Sequence, residues 1–196
     1  MHGLVNRSIQ VFLRGAYGSG VWMDVALDAQ LGFDSFEAML TYDDRLTDLV
    51  LAAASRRLNL PREAILEDLG IFLVAAPGLE RLRRLLRFGG VTFAEFLHSL
   101  DDLPARGRLA LPDLDLPLLQ LTGNDHDGFT LTCTSAISGI GHVLVGLLRA
   151  MADDYGALVV IDHAGVTPQG ELVSIQVLEQ QFASGRRFDL AGRAAE

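Results

Sequence analysis

The chain has 196 residues, of which 49% are hydrophobic and 21% are charged, a composition that suits one domain with a substantial core. Its net charge of −9 and pI near 4.9 exclude nucleic acid and anionic membrane surfaces as favoured partners, because both would repel it. Cys133 is the single cysteine, so no intrachain disulfide can form. The chain shows neither a signal peptide nor an apolar run long enough for a membrane span, which predicts a cytoplasmic protein.

Apolar residues recur at helical spacing through the first two thirds of the chain, with Gly- and Pro-containing breaks between the repeats. This pattern predicts helices at residues 4–16, 21–31, 43–58, 61–75 and 79–88. The last of these helices carries four arginines, which indicate a charged, solvent-facing side. They are Arg81, Arg83, Arg84 and Arg87.

A further helix is predicted to begin at Thr92, where Thr92 and Glu95 have the spacing of a capping box. Its apolar seam consists of Phe93, Phe96, Leu97 and Leu100. At about 100° per residue, Pro104 falls on the same side as this seam. Because proline lacks a backbone amide, we expect the helix to end or kink at Leu103.

The final third of the chain changes to the alternating period of strands. Strands are predicted at residues 116–121, 129–137, 157–162 and 171–179, with a helix at 138–154 between the second and third. The fold class is therefore α+β, an N-terminal helical part followed by an antiparallel four-stranded sheet with one inserted helix. The inward face of the second strand is predicted to carry Phe129, Leu131, Cys133, Ser135 and Ile137.

Several local sequences occur in a recognisable order over about residues 1 to 180: MHGLVN, YGSGVWMDV, TYDDRLTDLVLAAAS, LPREAILEDLGIFLV, and FAEFLHSLDDL followed by LPDLDLP. In these segments and in its order of elements, the chain resembles the haem-nitric oxide/oxygen binding (H-NOX) family, whose members sense diatomic gases. The resemblance implies one domain at residues 1–182, with a distal helical part at 1–60, proximal helices and sheet at 61–182, and a flexible tail at 183–196. It also implies that the chain is not an enzyme but a sensor. The resemblance further implies that this sensor acts by contact on a signalling protein such as a histidine kinase or a nucleotide cyclase.

Members of that family hold the haem iron with a histidine that directly follows the segment reading Leu100–Leu103 in this chain. Pro104 stands at that position, and Pro112 and Pro117 keep the family's downstream proline spacing, which fixes the register. A proline ring has no lone pair to offer to a metal, so the axial ligand is lost.

The family's second haem-binding feature is a Tyr-x-Ser-x-Arg strand that clamps the propionates. The corresponding positions here are Cys133, Ser135 and Ile137, so only the serine is kept. An isoleucine in place of the arginine presents an apolar wall where a cation would meet two carboxylates. Haem is thus implied by the family but opposed by these residues, and we predict that the chain binds no cofactor and acts as a haem-free sensor relative.

Two histidines could replace the missing ligand. His98 precedes Pro104 by six residues, which turns it by about 120° away from the seam, and His142 shares a helix side with Arg149 and Asp153. Both are therefore expected to face solvent. The other three histidines are also predicted to be solvated, because they lie in turns or at the terminus: His2, His126 and His163.

Two alternatives to a haem-free protein-contact module stay open. The first is a gas or redox sensor whose haem has a non-standard ligand, His98 or His142. The second is a binder of another apolar small molecule in the vacated pocket. The residues expected to line that pocket are Val5, Phe96, Leu97, Leu100, Cys133 and Ile137.

Overall fold

The computed structural model describes residues 1–110, 116–123 and 128–186. Its helices are α1 (Gly3–Tyr17), α2 (Ser19–Asp28), α3 (Asp44–Leu58), α4 (Arg62–Ala75), α5 (Glu80–Arg87), α6 (Phe93–His98), α7 (Leu103–Ala110) and α8 (Ile140–Tyr155), with a 3₁₀ turn at Leu100–Asp102. The strands are β1 (Leu118–Gly123), β2 (Gly128–Thr134), β3 (Leu158–Thr167) and β4 (Gly170–Glu179). The α+β class and the inserted helix are therefore confirmed.

The four strands form one antiparallel sheet in the order β1-β2-β4-β3. Strand β3 continues beyond the predicted end at residue 162, because its hairpin partner β4 pairs with it up to Thr167 and the turn lies at residues 168 and 169. His163 consequently lies in a strand and not in a turn. The register shifts between His163 and Gly165, where β3 has one more residue than β4.

Strand β2 ends earlier than predicted. Leu131 and Cys133 are buried on its inward face, as expected, but Ser135 and Ile137 lie beyond its last residue. The Ser135 hydroxyl accepts a hydrogen bond from the Ile137 amide at 3.1 Å, which folds this segment into a turn and removes it from the ladder.

The capping box at the start of α6 is confirmed. The Thr92 hydroxyl accepts from the Glu95 amide at 3.2 Å, and the Glu95 carboxylate accepts from the Thr92 amide at 3.3 Å. Both contacts satisfy amides that have no partner inside the helix.

The helix break near Pro104 differs from the prediction. Helix α6 ends at His98, and the Ser99 hydroxyl donates to the Phe96 carbonyl at 2.7 Å, which competes with the helical pattern. Leu103 does not end a helix but begins α7, with Pro104 in its first turn. A proline fits there because first-turn amides have no helical acceptor. Pro104 is buried, although the continuous helix from which its burial was predicted is interrupted at residues 99–102.

Two clusters of apolar side chains form the core. One joins α1, α2, α3 and the first part of α4, and the other joins the sheet to α5, α6 and α8. Helix α4 takes part in both, since Ile65 and Leu69 belong to the first cluster and Val74 to the second. Helix α8 does the same, with Val143 in the first cluster and Leu144 in the second.

Helices α4 and α8 are in backbone contact where they cross. A Cβ atom on Gly70 would overlap the carbonyl oxygen of Val143, and one on Gly146 would overlap that of Glu67. The absence of side chains at these two glycines therefore sets the distance between the helices, and through it the distance between the two clusters.

Helix α5 is held by a buried ion pair. Arg83 contacts Asp154 of α8 at 2.7 Å, and the Asp154 side chain is 2% exposed. Arg87 stacks over the Tyr155 ring at 3.8 Å. The prediction of a wholly solvent-facing arginine side is therefore wrong for these two residues, while Arg81 and Arg84 are exposed.

The segment after β4 is only partly as expected. Residues 183–186, predicted to be loose, return to the end of α8, where the Ala183 amide donates to the Gly156 carbonyl at 3.0 Å and the Arg186 amide donates to that of Asp154 at 2.9 Å. The rest of the predicted tail, residues 187–196, lies outside the described residues. Within the described ranges, no helix has the length and hydropathy needed to cross a bilayer.

Replacing Gly146 by alanine tests the close crossing of α4 and α8. We expect Gly146→Ala to lower the free energy of unfolding by about 1 to 3 kcal/mol, because the new methyl group overlaps the Glu67 backbone. Urea denaturation measures this. Gly20→Ala is the matched control, since a Cβ at Gly20 of α2 meets nothing within 4 Å. If Gly20→Ala lowered the free energy of unfolding as much as Gly146→Ala, the loss could not be attributed to the contact between α4 and α8.

Replacing Asp154 by asparagine tests the buried ion pair. We expect Asp154→Asn to lower the free energy of unfolding by about 3 kcal/mol, because Arg83 is left with an uncompensated charge. Asp153→Asn makes the same chemical change at an exposed neighbour and should leave thermal unfolding nearly unchanged. Equal melting temperatures for the two variants would contradict this account.

Candidate functional site

The position predicted to correspond to the family's haem ligand lies where three elements meet. Pro104 opens α7, directly after the 3₁₀ turn, and this turn is joined to β1 by the Asp101 carboxylate, which accepts from the Leu121 amide at 2.8 Å. The site is therefore built from the end of the α6 seam, the first turn of α7 and the edge of the sheet.

The side chains around this position are closely packed. Phe96, Leu97, Leu100 and Cys133 are each 1% exposed or less, and all four belong to the second apolar cluster. An open cavity large enough for haem would leave the side chains that line it accessible. The described residues of this region instead fill the space with their own side chains.

Only some of the residues predicted to line the pocket lie together in the structure. Val5 lies on α1 and is half-buried, in neither of the two apolar clusters. Ile137 is likewise half-buried and in neither cluster. The other four residues belong to one apolar cluster. The structure therefore brings together four of the six residues that were predicted to line the pocket.

The clamp positions lie along an open cleft of about 290 Å³ between the end of β2 and the β3–β4 hairpin. Cys133, Ser135 and Ile137 line it on one side and Glu171 on the other. The carboxylate of Glu171 brings negative charge to a place where haem propionates require a cation. Arg62 approaches the same loop at the Ser138 carbonyl, but it is paired with Asp48 at 2.7 Å.

The thiol of Cys133 is also unsuited to iron. Burial, with a smaller contribution from the negative charge of Glu171, raises the pKa of Cys133 to about 12. The thiolate that would bind a metal is therefore disfavoured at neutral pH. Taken together, Pro104, the filled core, the carboxylate in the cleft and the protonated thiol do not fit a haem.

The two alternative ligands lie in different surroundings. His98 is exposed, and its ring meets the edge of Phe129 with the ring centroids 5.5 Å apart. His142 is half-buried, and its Nδ1 lies 3.2 Å from the Glu67 carboxylate. Among the residues that the structure describes, no group of three or more His, Cys, Asp or Glu side chains is arranged to hold a metal ion.

Two other histidines are not simply solvated. His2 caps α1, where its Nδ1 accepts from the Leu4 amide at 3.1 Å. His163 stacks on His142 with the ring centroids 4.1 Å apart and an interplanar angle of 18°. His126 lies outside the described residues.

The carboxylates that accompany the stacked rings were not predicted from the sequence. Glu67 on α4 and Glu171 on β4 each contact one of the two histidines. Their positions carry no linear signal, because Glu67 and His142 are 75 residues apart. Only the outward-facing polar positions of α4 and α8 could have suggested that such a pairing exists.

Comparison with known proteins agrees with the architecture. A family model described as Haem-NO-binding matches residues 2–163. The chain is 25% identical to soluble guanylate cyclase 89Db of Drosophila melanogaster over 158 residues, which is 81% of this chain and 24% of that protein. It is 23% identical to soluble guanylate cyclase gcy-31 of Caenorhabditis elegans over 154 residues, 79% of this chain and 22% of that protein.

Solved structures show the same fold. An H-NOX protein from S. oneidensis in the Fe(II) ligation state superposes with a TM-score of 0.77 at 16% identity, covering 92% of this chain and 98% of that one. The unliganded Fe(II) H-NOX protein from K. algicida gives a TM-score of 0.77 at 15% identity, covering 94% and 100%. The chain spans about a quarter of the length of the two cyclases. With a family model matched over most of its length, the chain belongs to the haem-NO-binding, or H-NOX, family.

Proposed function

We propose that this chain is a haem-free member of its family, a signalling module that acts through contact with another protein. The observation that carries the proposal is the buried Pro104 at the end of a filled apolar seam. A proline cannot bind iron, and the described side chains of the seam beside it are closely packed. The fold is kept while the haem-binding residues are not. This combination supports a role that depends on the fold but not on the cofactor.

The proposed partner is a signalling enzyme such as a nucleotide cyclase or a histidine kinase. The matched region is 24% and 22% of the relatives named as guanylate cyclases, so it is one part of each of them. The module itself needs no catalytic residue for such a role. Any switching has to come from a contact that differs between two states, such as partner docking, because Pro104 removes the iron-to-histidine connection. A cytoplasmic location fits this role and stays a prediction.

Haem titration tests the proposal directly. Protein expressed with haem available is expected to show no stoichiometric Soret absorption, and added haem should bind weakly and exchangeably, since neither an axial ligand nor a propionate clamp retains it. His98→Ala and His142→Ala should leave that weak affinity unchanged. A strong Soret band at one haem per chain, lost in either alanine variant, would establish the non-standard-ligand alternative instead.

The reactivity of Cys133 tests the exclusion of a thiolate ligand. Because its pKa is raised to about 12, the thiol stays protonated at pH values below that. We expect alkylation by iodoacetamide at about pH 8 to be at least 100-fold slower in the folded chain than in urea, since an ordinary cysteine pKa is about 8.5. Mass spectrometry follows the modification. Equal rates in the two states would show that the thiol is neither buried nor disfavoured as an anion.

A further inference from the structure

Exposed side chains form a stripe along the outer side of α5. Arg81, Arg84 and Phe88 follow one another at spacings of three and four residues, so they lie on one face of the helix. Phe88 keeps helical backbone angles directly after the last residue of α5 and is 70% exposed. Val91, three residues further along the chain, is 85% exposed. Two large apolar side chains are therefore open to solvent close to two arginines.

A third arginine lies near this stripe. The pKa of Glu80 is lowered first by the hydrogen bond that the Gly78 amide donates to its carboxylate at 3.0 Å, and further by the positive charges of Arg84 and Arg186. Both arginines are therefore near the same carboxylate, although one belongs to α5 and the other follows β4. The α5 surface consists of Arg81, Arg84, Phe88, Val91 and Arg186.

The arginines of the α5 surface have no ion-pair partner within residues 1–110, 116–123 and 128–186. No carboxylate oxygen of these ranges lies within 4.0 Å of the three guanidinium groups. The exposed Arg45 and Arg57 are instead paired with aspartates at 2.8 and 2.7 Å. Glu80 offsets only part of the charge from a longer distance. The α5 surface is therefore a positive area on a chain whose net charge is −9.

The inner side of α5 holds this surface in place. Arg83 pairs with the buried Asp154 at 2.7 Å. The Tyr155 hydroxyl donates to the Gly90 carbonyl at 3.0 Å, which fixes the segment between α5 and α6. The exposed side chains are thus carried by a backbone that is anchored from beneath. A partner can meet them with little loss of backbone entropy.

We propose that the α5 surface is the docking site for an acidic segment of a partner protein. Carboxylates of that segment pair with the three arginines, and one of its apolar side chains packs on Phe88 and Val91. This inference rests on the proposed function, because it names the face through which the contact module meets its partner. Arginine and aromatic side chains are the residue types that contribute most to binding at protein interfaces.

Charge complementarity selects this occupant. A positive area attracts an acidic segment at short range, while the net charge of −9 repels acidic chains from the rest of the molecule and so confines them to this face. A nucleic acid is disfavoured at the same place, because its regularly spaced phosphates extend beyond three arginines and meet the surrounding negative charge.

A segment docked on this surface would also touch the start of α6. The amides of Val91 and Thr92 donate to the Glu95 carboxylate at 2.7 and 3.3 Å, and this carboxylate belongs to the capping box. Helix α6 carries the buried seam of Phe93, Phe96 and Leu97. Docking therefore contacts a residue whose backbone is bonded to the helix of the apolar seam.

Fluorescence anisotropy of a labelled synthetic peptide tests the docking site on the full chain. The peptide carries glutamates on one side of a helix and leucines on the other, and its counterpart has glutamine at every glutamate position. We expect the glutamate peptide to bind with an affinity that falls as salt rises. The glutamine peptide should bind about 10-fold more weakly or less, because it lacks the charges that pair with the arginines.

Variants of the α5 surface locate the binding. Arg81→Gln combined with Arg84→Gln should weaken the glutamate peptide about 10-fold or more, and Phe88→Ala should weaken it without changing the salt dependence. Arg14→Gln combined with Arg56→Gln is the matched control, since it removes the same charge at exposed residues of α1 and α3. The control should change the affinity by less than about 2-fold.

Three results would overturn the proposal. The first is a glutamate peptide that does not bind at about 1 mM, and the second is a control pair that weakens binding as much as the α5 pair. The third is a dimer in analytical ultracentrifugation that Phe88→Ala dissociates, which would assign the surface to a second copy of the chain. These results are separable from the proposed function, because a stoichiometric haem band would refute the haem-free assignment without changing peptide binding.

Discussion

The backbone contact between α4 and α8 is the constraint on which the other features of the molecule depend. Gly70 and Gly146 let the two helices cross with carbonyl oxygens where side chains would otherwise stand. Both helices contribute to both apolar clusters, so this crossing sets how the helical part sits on the sheet. The same approach carries Glu67 to His142 and Arg149. A looser crossing would change the spacing of the two clusters and also separate Glu67 from His142 and Arg149.

Around Pro104, several independent features bear on whether haem could bind. Loss of an axial ligand alone would leave a pocket that a cofactor could still enter. Here Pro104 is accompanied by a buried thiol at Cys133 and by the carboxylate of Glu171 in the adjoining cleft. The leucine and phenylalanine side chains of the α6 seam pack into the same core as the strands. Among the described residues, the side chain at position 104, the charge in the cleft and the packing of the seam all support the proposal that the chain binds no haem.

Much of this could be predicted from residue patterns, but not all. The capping box at Thr92 followed from local spacing, because a threonine and a glutamate three residues apart can satisfy each other's free amides at a helix start. The break at Ser99 was missed, since a serine hydroxyl that bonds to the preceding turn gives no periodic signal. Ser135 and Ile137 were wrongly predicted to lie in the second strand. The alternation of polar and apolar residues continues through them, but a turn ends the strand before Ser135.

By itself, the sequence determined the kinds of elements and their order, and it placed a proline at position 104, because these depend on residue type and local period. Only the tertiary structure decided the strand order β1-β2-β4-β3, the inward turn of Arg83, and the stacking of His142 on His163. The local periodicity indicates whether a side chain lies on the polar or the apolar face of its own helix or strand. Which remote side chain it meets depends on how the elements pack, and that packing is a property of the whole chain.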